Sequence, residues 1–161
     1  RSLSDRFISF VRTENKLFPN YFDFIDAIKH SGISFKCIKD KIPADLAVFE
    51  IYEGFNAKFV NILTENNIAN FAAYPFKVII PEGIQDYYYL DIKCRPIPKH
   101  KEKRKGFMDL GSIFYDPKDW GGEDIFTIQD TLVILCTEKV KNLVEKNKLK
   151  NFRFVEVHQV P

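Results

Sequence analysis

Three cysteines and three histidines are the side chains of this 161-residue chain best suited to nucleophilic or metal chemistry. A thiolate nucleophile needs a base beside it, and zinc needs convergent ligands, commonly announced by CxxC or HxxxH spacing. Neither spacing occurs: Cys37, Cys94 and Cys136 lie far apart in apolar, strand-like stretches, while His30, His100 and His158 fall at a helix end, in a charged segment and in the last strand. Gly106, Gly111 and the pair Gly121-Gly122 also miss the spacing of a Walker or dinucleotide loop. The expectation is no catalytic residue, no metal ligand and no cofactor. An enzyme would have to assemble distant residues around Cys136 or another thiol, and that thiol would carry a lowered pKa.

Two segments could instead touch a partner. KHKEKRK, residues 99–105, supplies cations that could release counterions from phosphates, with Lys101, Lys103 and Arg104 as its central charges. Glu102 interrupts it, no aromatic side chain is interleaved for base stacking, and no basic helix face exists, so a solvated loop is the simpler reading. The segment from Asp116 to Asp124 places the only tryptophan, Trp120, among Asp119, Glu123 and those two aspartates, beside the glycine pair. Exposed, Trp120 is a typical interface anchor. Folded down, it is a lid on the core. Both readings stand at this point.

The elements that must position these residues follow from composition and periodicity. With 45% hydrophobic residues and Phe 16, the chain has ample material for one packed domain. Lys+Arg 24 against Asp+Glu 22 leaves too weak an overall field to argue for a nucleic-acid or membrane partner. Odd, scattered cysteines suit buried thiols in a reducing compartment, and neither a membrane-length apolar run nor a signal peptide is apparent. Apolar spacing predicts a helix over 20–30, strands over 33–38 and 46–51 with Gly54 ending the latter, and a helix over 56–66 capped by Asn56. Strands are expected over 76–80, 87–94, 113–115, 124–128 and 132–136. A helix capped by Thr137 then leads to a closing strand through Phe152, Phe154 and Val157.

The sequence also repeats itself. KFVNILTENNIANF (58–71) and KVKNLVEKNKLKNF (139–152) align without a gap, pairing Lys58, Asn61, Asn66, Asn70 and Phe71 with Lys139, Asn142, Asn147, Asn151 and Phe152. Apolar positions match too, so both helices would bury the same face. Asn70 and Asn151 stand where each chain leaves its helix, where asparagine tolerates a left-handed backbone. Two related units, 46–80 and 131–158, are expected; duplication of one unit and chance similarity of two β-α-β segments both account for the match.

The last third resembles a family of bacterial polymorphic-toxin immunity proteins. The resemblance runs through Asp124-Ile125-Phe126, the strand Leu132-Val133-Ile134-Leu135-Cys136, Thr137-Glu138, a helix, and Asn151-Phe152-Arg153-Phe154-Val155-Glu156-Val157. In the family these positions read as an Asp-x-Phe strand, an apolar strand ending in Ser-Glu, a helix, and Gly-Phe-x-Phe-x-x-Val. Tyr87-Tyr88-Tyr89-Leu90-Asp91 is similar to its Tyr-rich central strand, with Asp91 in place of Asn, Thr137 in place of Ser and Asn151 in place of Gly. The likeness covers about residues 87–157. It implies a cytoplasmic, non-catalytic protein that binds and occludes a cognate toxin domain. On that reading the loops carry specificity, with Asp116, Asp119, Trp120, Glu123 and Asp124 as the first patch and Lys101, Lys103 and Arg104 as the second. The alternative is a nucleic-acid-associated protein using loop 99–105. The expected fold is a single α+β domain over 1–161, with a mixed, mostly antiparallel sheet and about three helices. No oligomeric state follows from the sequence.

Overall fold

The computed structural model describes residues 10–12, 21–31, 34–37, 46–49, 52–98, 100–101, 113–130, 133–154 and 158–159. Its strands are β1 (Phe10–Arg12), β2 (Ser34–Cys37), β3 (Leu46–Phe49), β4 (Tyr52–Asn56), β5 (Phe71–Ile80), β6 (Gly83–Ile92), β7 (His100–Lys101), β8 (Ile113–Tyr115), β9 (Ile125–Thr127), β10 (Ile134–Cys136) and β11 (His158–Gln159). Three α-helices, α1 (Tyr21–Ser31), α2 (Ala57–Glu65) and α3 (Glu138–Lys146), complete a mixed α+β domain.

Six strands form one sheet in the order β1-β2-β5-β6-β4-β3, antiparallel throughout except where β2 runs parallel to β5. Its edge strands β1 and β3 come within 8 Å (Cα–Cα), so the sheet curls toward closure. The spine is the β5–β6 hairpin, paired in register from Phe71↔Ile92 to Ile80↔Gly83 and turned by Pro81-Glu82 with Gly83 at φ 139°. Along β5 the buried Phe76, Val78 and Ile80 alternate with Pro75, Lys77 and Ile79, the period that puts one strand face inside. Among the described residues β2 pairs with β5 over Lys77–Ile79, a stretch that does not include Pro75, which has no N–H to give to a ladder. Against this hairpin α1 lays Ile25 and Ile28, and its Lys29 reaches Asp91 on β6 at 2.7 Å while crossing the Tyr74 ring at 5.0 Å. Two further small sheets, β10-β9 and β11-β8-β7, complete the strand pairings among the described residues.

Several boundaries differ from the sequence expectation for physical reasons. Gly54 does not end a strand; it lies within β4, opposite Ala47, because the apolar run doubles back at Phe49↔Tyr52 as a tight hairpin. β5 begins at Phe71, immediately after the helix exit, since its antiparallel partner β6 is long enough to pair it. No strand forms over residues 152–154. Their backbone instead delivers rings to the core, Phe152 lying 5.0 Å from Phe59 and 6.4 Å from Phe154.

The two related units are built alike where they fold and exit. α2 and α3 are nine residues each, begin and end at positions the repeat equates, and pack together. Phe59 and Leu63 from one, Val140 and Val144 from the other, share one cluster with Phe55, Ile68, Leu90 and Ile125. Burying each such side chain contributes roughly 1.5–3 kcal/mol. The helix exits coincide bond for bond: Ile68 N donates to Leu63 O (3.0 Å) as Leu149 N does to Val144 O (3.1 Å), and Asn67 N to Thr64 O (3.1 Å) as Lys148 N does to Glu145 O (3.0 Å). Asn66 and Asn147 both turn their amides back to the carbonyl four residues earlier, at 2.8 Å. This is a Schellman exit, whose left-handed residue is Asn67 (φ 58°) in one copy and Lys148 (φ 52°) in the other. The conserved exit conformation therefore sits three residues before the asparagines the sequence pointed to. Asn151 is left-handed as well (φ 69°) and buried, whereas Asn70 uses its amide to bind Ile125 O.

Candidate functional site

The loop from β8 to β9 begins with Asp116, whose carboxylate accepts from Lys118 N at 2.9 Å and so caps the short 3-10 turn Pro117–Asp119. Proline at the first position of that turn has the required φ and no N–H to satisfy. Asp119 N donates to Asp116 O (3.0 Å) and Trp120 N to Pro117 O (3.2 Å), closing the turn. Gly122, at φ 94°, then reverses the chain in a region L side chains rarely adopt, which brings Glu123 O to the indole Nε1 at 3.0 Å. One side of the Trp120 ring faces buried Phe126, centroids 6.1 Å apart, yet the residue remains 38% exposed. The ring is thus packed against the second core on Phe126 and still partly open to solvent. Phe126 itself belongs to a second small core with Ile97, Ile128 and Leu135.

Asp124 closes the loop. Its carboxylate accepts from Thr137 Oγ1 at 2.7 Å and Lys139 Nζ at 2.9 Å, and its backbone O accepts from Thr137 N at 3.0 Å. Burial works to raise its pKa, but the hydrogen bonds from Lys139 and Thr137 and the Lys139 charge outweigh it and hold the carboxyl below its ordinary value. Sequence reasoning read Thr137 as the cap of α3. The residue does occupy that position, but its hydroxyl is committed to Asp124 and makes no cap hydrogen bond. In the first unit the equivalent Asn56 does cap its own helix, accepting from Phe59 N at 3.1 Å.

Of the first predicted patch, the structure gathers all five residues on one loop. Asp119 and Trp120 are exposed, Asp116 and Glu123 half-buried, and Asp124 is turned into the scaffold. Of the second, Lys101 lies in β7 opposite Ile113, while Lys103 and Arg104 lie outside the described residues. Among the described residues the only exposed large apolar side chains are Trp120 and, at the β5–β6 turn, Ile84. Thr137 and Lys139 were missed as parts of the site. No sequence signal marks them: the repeat pairs Lys139 with an identical Lys58, and only the distant Asp124 draws Thr137 and Lys139 to itself.

The two cysteines whose side chains are described, Cys94 and Cys136, both have raised pKa values. Burial pushes the Cys136 pKa up to about 11, with the Glu138 charge adding to it, and burial with the Glu123 charge raises that of Cys94. Cys94 Sγ donates a long hydrogen bond to Ile125 O at 3.8 Å. Among the described residues no three His, Cys, Asp or Glu side chains converge as a metal site would require, and no helix is long and apolar enough to cross a membrane. Compared with known protein families and with curated proteins, the chain matches none.

Proposed function

We propose that this chain is an immunity protein: a cytoplasmic, non-catalytic binder that neutralises a cognate bacterial toxin domain by covering its active site. The observation that carries the reading is the state of Trp120, 38% exposed on a loop held by hydrogen bonds at Asp116, Pro117 and Glu123. An aromatic anchor fixed before contact loses little conformational entropy on binding, the property that makes such residues dominate interfaces. Asp116, Asp119 and Glu123 place carboxylates along the same loop, which favours a partner with basic groups around an apolar or cation-binding recess. The family resemblance supports the same reading from the other side. Its motif residues Phe126, Leu135, Phe152 and Phe154 are occupied in packing, leaving the loops to differ between partners.

The test begins with affinity capture from the source bacterium and continues with the captured domain produced alone and together with this chain. Immunity predicts that the domain arrests growth and that the chain restores it. Trp120→Ala should weaken the complex by about 30-fold or more, the loss typical of a central aromatic anchor. Reversal of Asp116, Asp119 and Glu123 to lysine should slow association. Undiminished affinity and protection in both sets of variants would reject the Trp120 loop as the binding surface.

A further inference from the structure

Two positions of the repeated unit serve the scaffold in the first copy and something else in the second. Asn56 caps α2, and Lys58 Nζ reaches across to Asn147 O at 3.3 Å, satisfying the C-terminus of the neighbouring helix. Their counterparts Thr137 and Lys139 do neither. Both turn to Asp124, the residue that follows the carbonyl holding the Trp120 indole. The α3 donor equivalent to the one Asn56 caps, Val140 N, donates instead to the Thr137 carbonyl at 3.1 Å, which leaves the Thr137 hydroxyl available to Asp124.

We propose that Asp124 is a positioning residue: together with Thr137 and Lys139 it fastens the Trp120 loop to the start of α3 and so presets the ring for a partner. The mechanical path is short. Trp120 Nε1 is tied to Glu123 O, the next residue is Asp124, and Asp124 is tied by backbone and side chain to Thr137. At its other end the loop is closed by the 3-10 turn. Asp124 itself is no contact residue on this account, since both its carboxylate oxygens already hold groups of the chain. The proposal deepens the binding role given to the loop and rests on that reading only for its consequence in affinity. The fastening itself is a property of the chain alone.

Because Trp120 is the only tryptophan, its fluorescence reports the loop without any partner. Asp124→Ala should shift the emission to the red and raise acrylamide quenching about twofold, with the far-UV circular dichroism of the helices retained. Asp124→Asn, which keeps an acceptor for Thr137 and loses the charge for Lys139, should lie between, as should Lys139→Met. These milder variants keep the test usable if alanine impairs folding. Against a captured toxin domain, Asp124→Ala should weaken binding about tenfold in the wild-type chain and leave affinity unchanged in a Trp120→Ala background, because the loss is one of preorganisation. Unchanged emission and quenching in all three variants would overturn the fastening. A full additional loss in the Trp120→Ala background would overturn the positioning role and make Asp124 a direct contact. Should no toxin domain exist, the fluorescence arm still decides the fastening while the immunity reading fails separately.

Discussion

The units 46–80 and 131–158 agree, over their described residues, at the helix exits and in the shared core, and diverge where their helices begin. Exits are constrained because Leu63, Ile68 and Val144 are buried and the carbonyls around them need partners. Starts lie nearer the surface, where Asn56 and Thr137 are only half-buried, so a side chain there can change partner without emptying the core. The comparison teaches that in this fold the buried half of a repeated unit preserves structure, and its solvent-facing entry is the part available for a local task.

The largest test of that statement is in the core. Phe59 and its counterpart Val140 occupy the same cluster, but Phe59 also lies 4.9 Å from the Phe55 ring and 5.0 Å from that of Phe152. Phe59→Ala should cost about 3–5 kcal/mol and Val140→Ala about 2 kcal/mol, read from denaturant unfolding. Equal losses would mean that the two units carry the core alike and that the aromatic group is not its centre.

The next position in the comparison is Phe55 against Cys136. Each lies two residues before the first turn of its helix and touches the same cluster, but only the second can ionise. Because the folded-state pKa of Cys136 is raised to about 11 from the ordinary 9.0, its contribution is fully present below pH 9 and is lost as pH rises toward 11. Stability should fall over that window by up to about 2 kcal/mol, and Cys136→Ala should reduce the slope to the part that the raised Cys94 thiol contributes. At neutral pH the thiol should label slowly with alkylating reagents. Rapid stoichiometric labelling of Cys136 in the folded chain would revive a nucleophilic role.

At the helix starts the expected effects are smaller and opposite in kind. Asn56→Ala removes a cap and should cost about 1 kcal/mol. Thr137→Ala should cost a similar amount, about 1–2 kcal/mol for a hydrogen bond to a charged group, but through Asp124. The difference appears in acid. A lowered folded pKa means that Asp124 contributes stability above the ordinary carboxylate pKa and loses it as pH falls through the folded value. Thr137→Ala and Lys139→Met should therefore flatten the acid limb of the stability profile, while Asn56→Ala should lower the whole curve without changing its shape. Asp91, lowered by Lys29 and Lys93 against the opposing effect of burial, supplies a background acid slope common to all three.

How much of this was legible in the sequence follows the same division. Apolar periodicity located α1, α2 and α3 within a residue or so, because buried faces repeat with the helix. The acidic Trp120 loop was legible as a unit, since Pro117 and the glycine pair are local turn signals. What could not be read depends on distant partners. Residues 152–154 have strand composition, but Phe152 packs on the Phe55 and Phe59 rings and Phe154 on Phe152, while Arg153 stays exposed. Thr137 is a good cap by type, and only Asp124, thirteen positions away, redirects it. A left-handed residue was sought at Asn70 and Asn151 from residue preference; Asn151 is one, but hydrogen-bond closure places the left-handed residue shared by both copies at Asn67 and Lys148.

That last pair gives the smallest and most discriminating prediction. Asn67 and Lys148 share φ near 55°, 58° and 52° respectively, at the same step of the same exit. A lysine there bears a Cβ clash of about 1 kcal/mol, while asparagine tolerates the region through local hydrogen bonding. Glycine relieves the clash in the folded chain but adds freedom to the unfolded one, which offsets part of the gain. Lys148→Gly should therefore stabilise by less than about 1 kcal/mol and Asn67→Gly by about zero. Thermal unfolding of the two single variants measures the difference. If Lys148→Gly destabilises, the long side chain must contribute a contact that exceeds the strain, and the exits would then be alike in backbone but not in energetics.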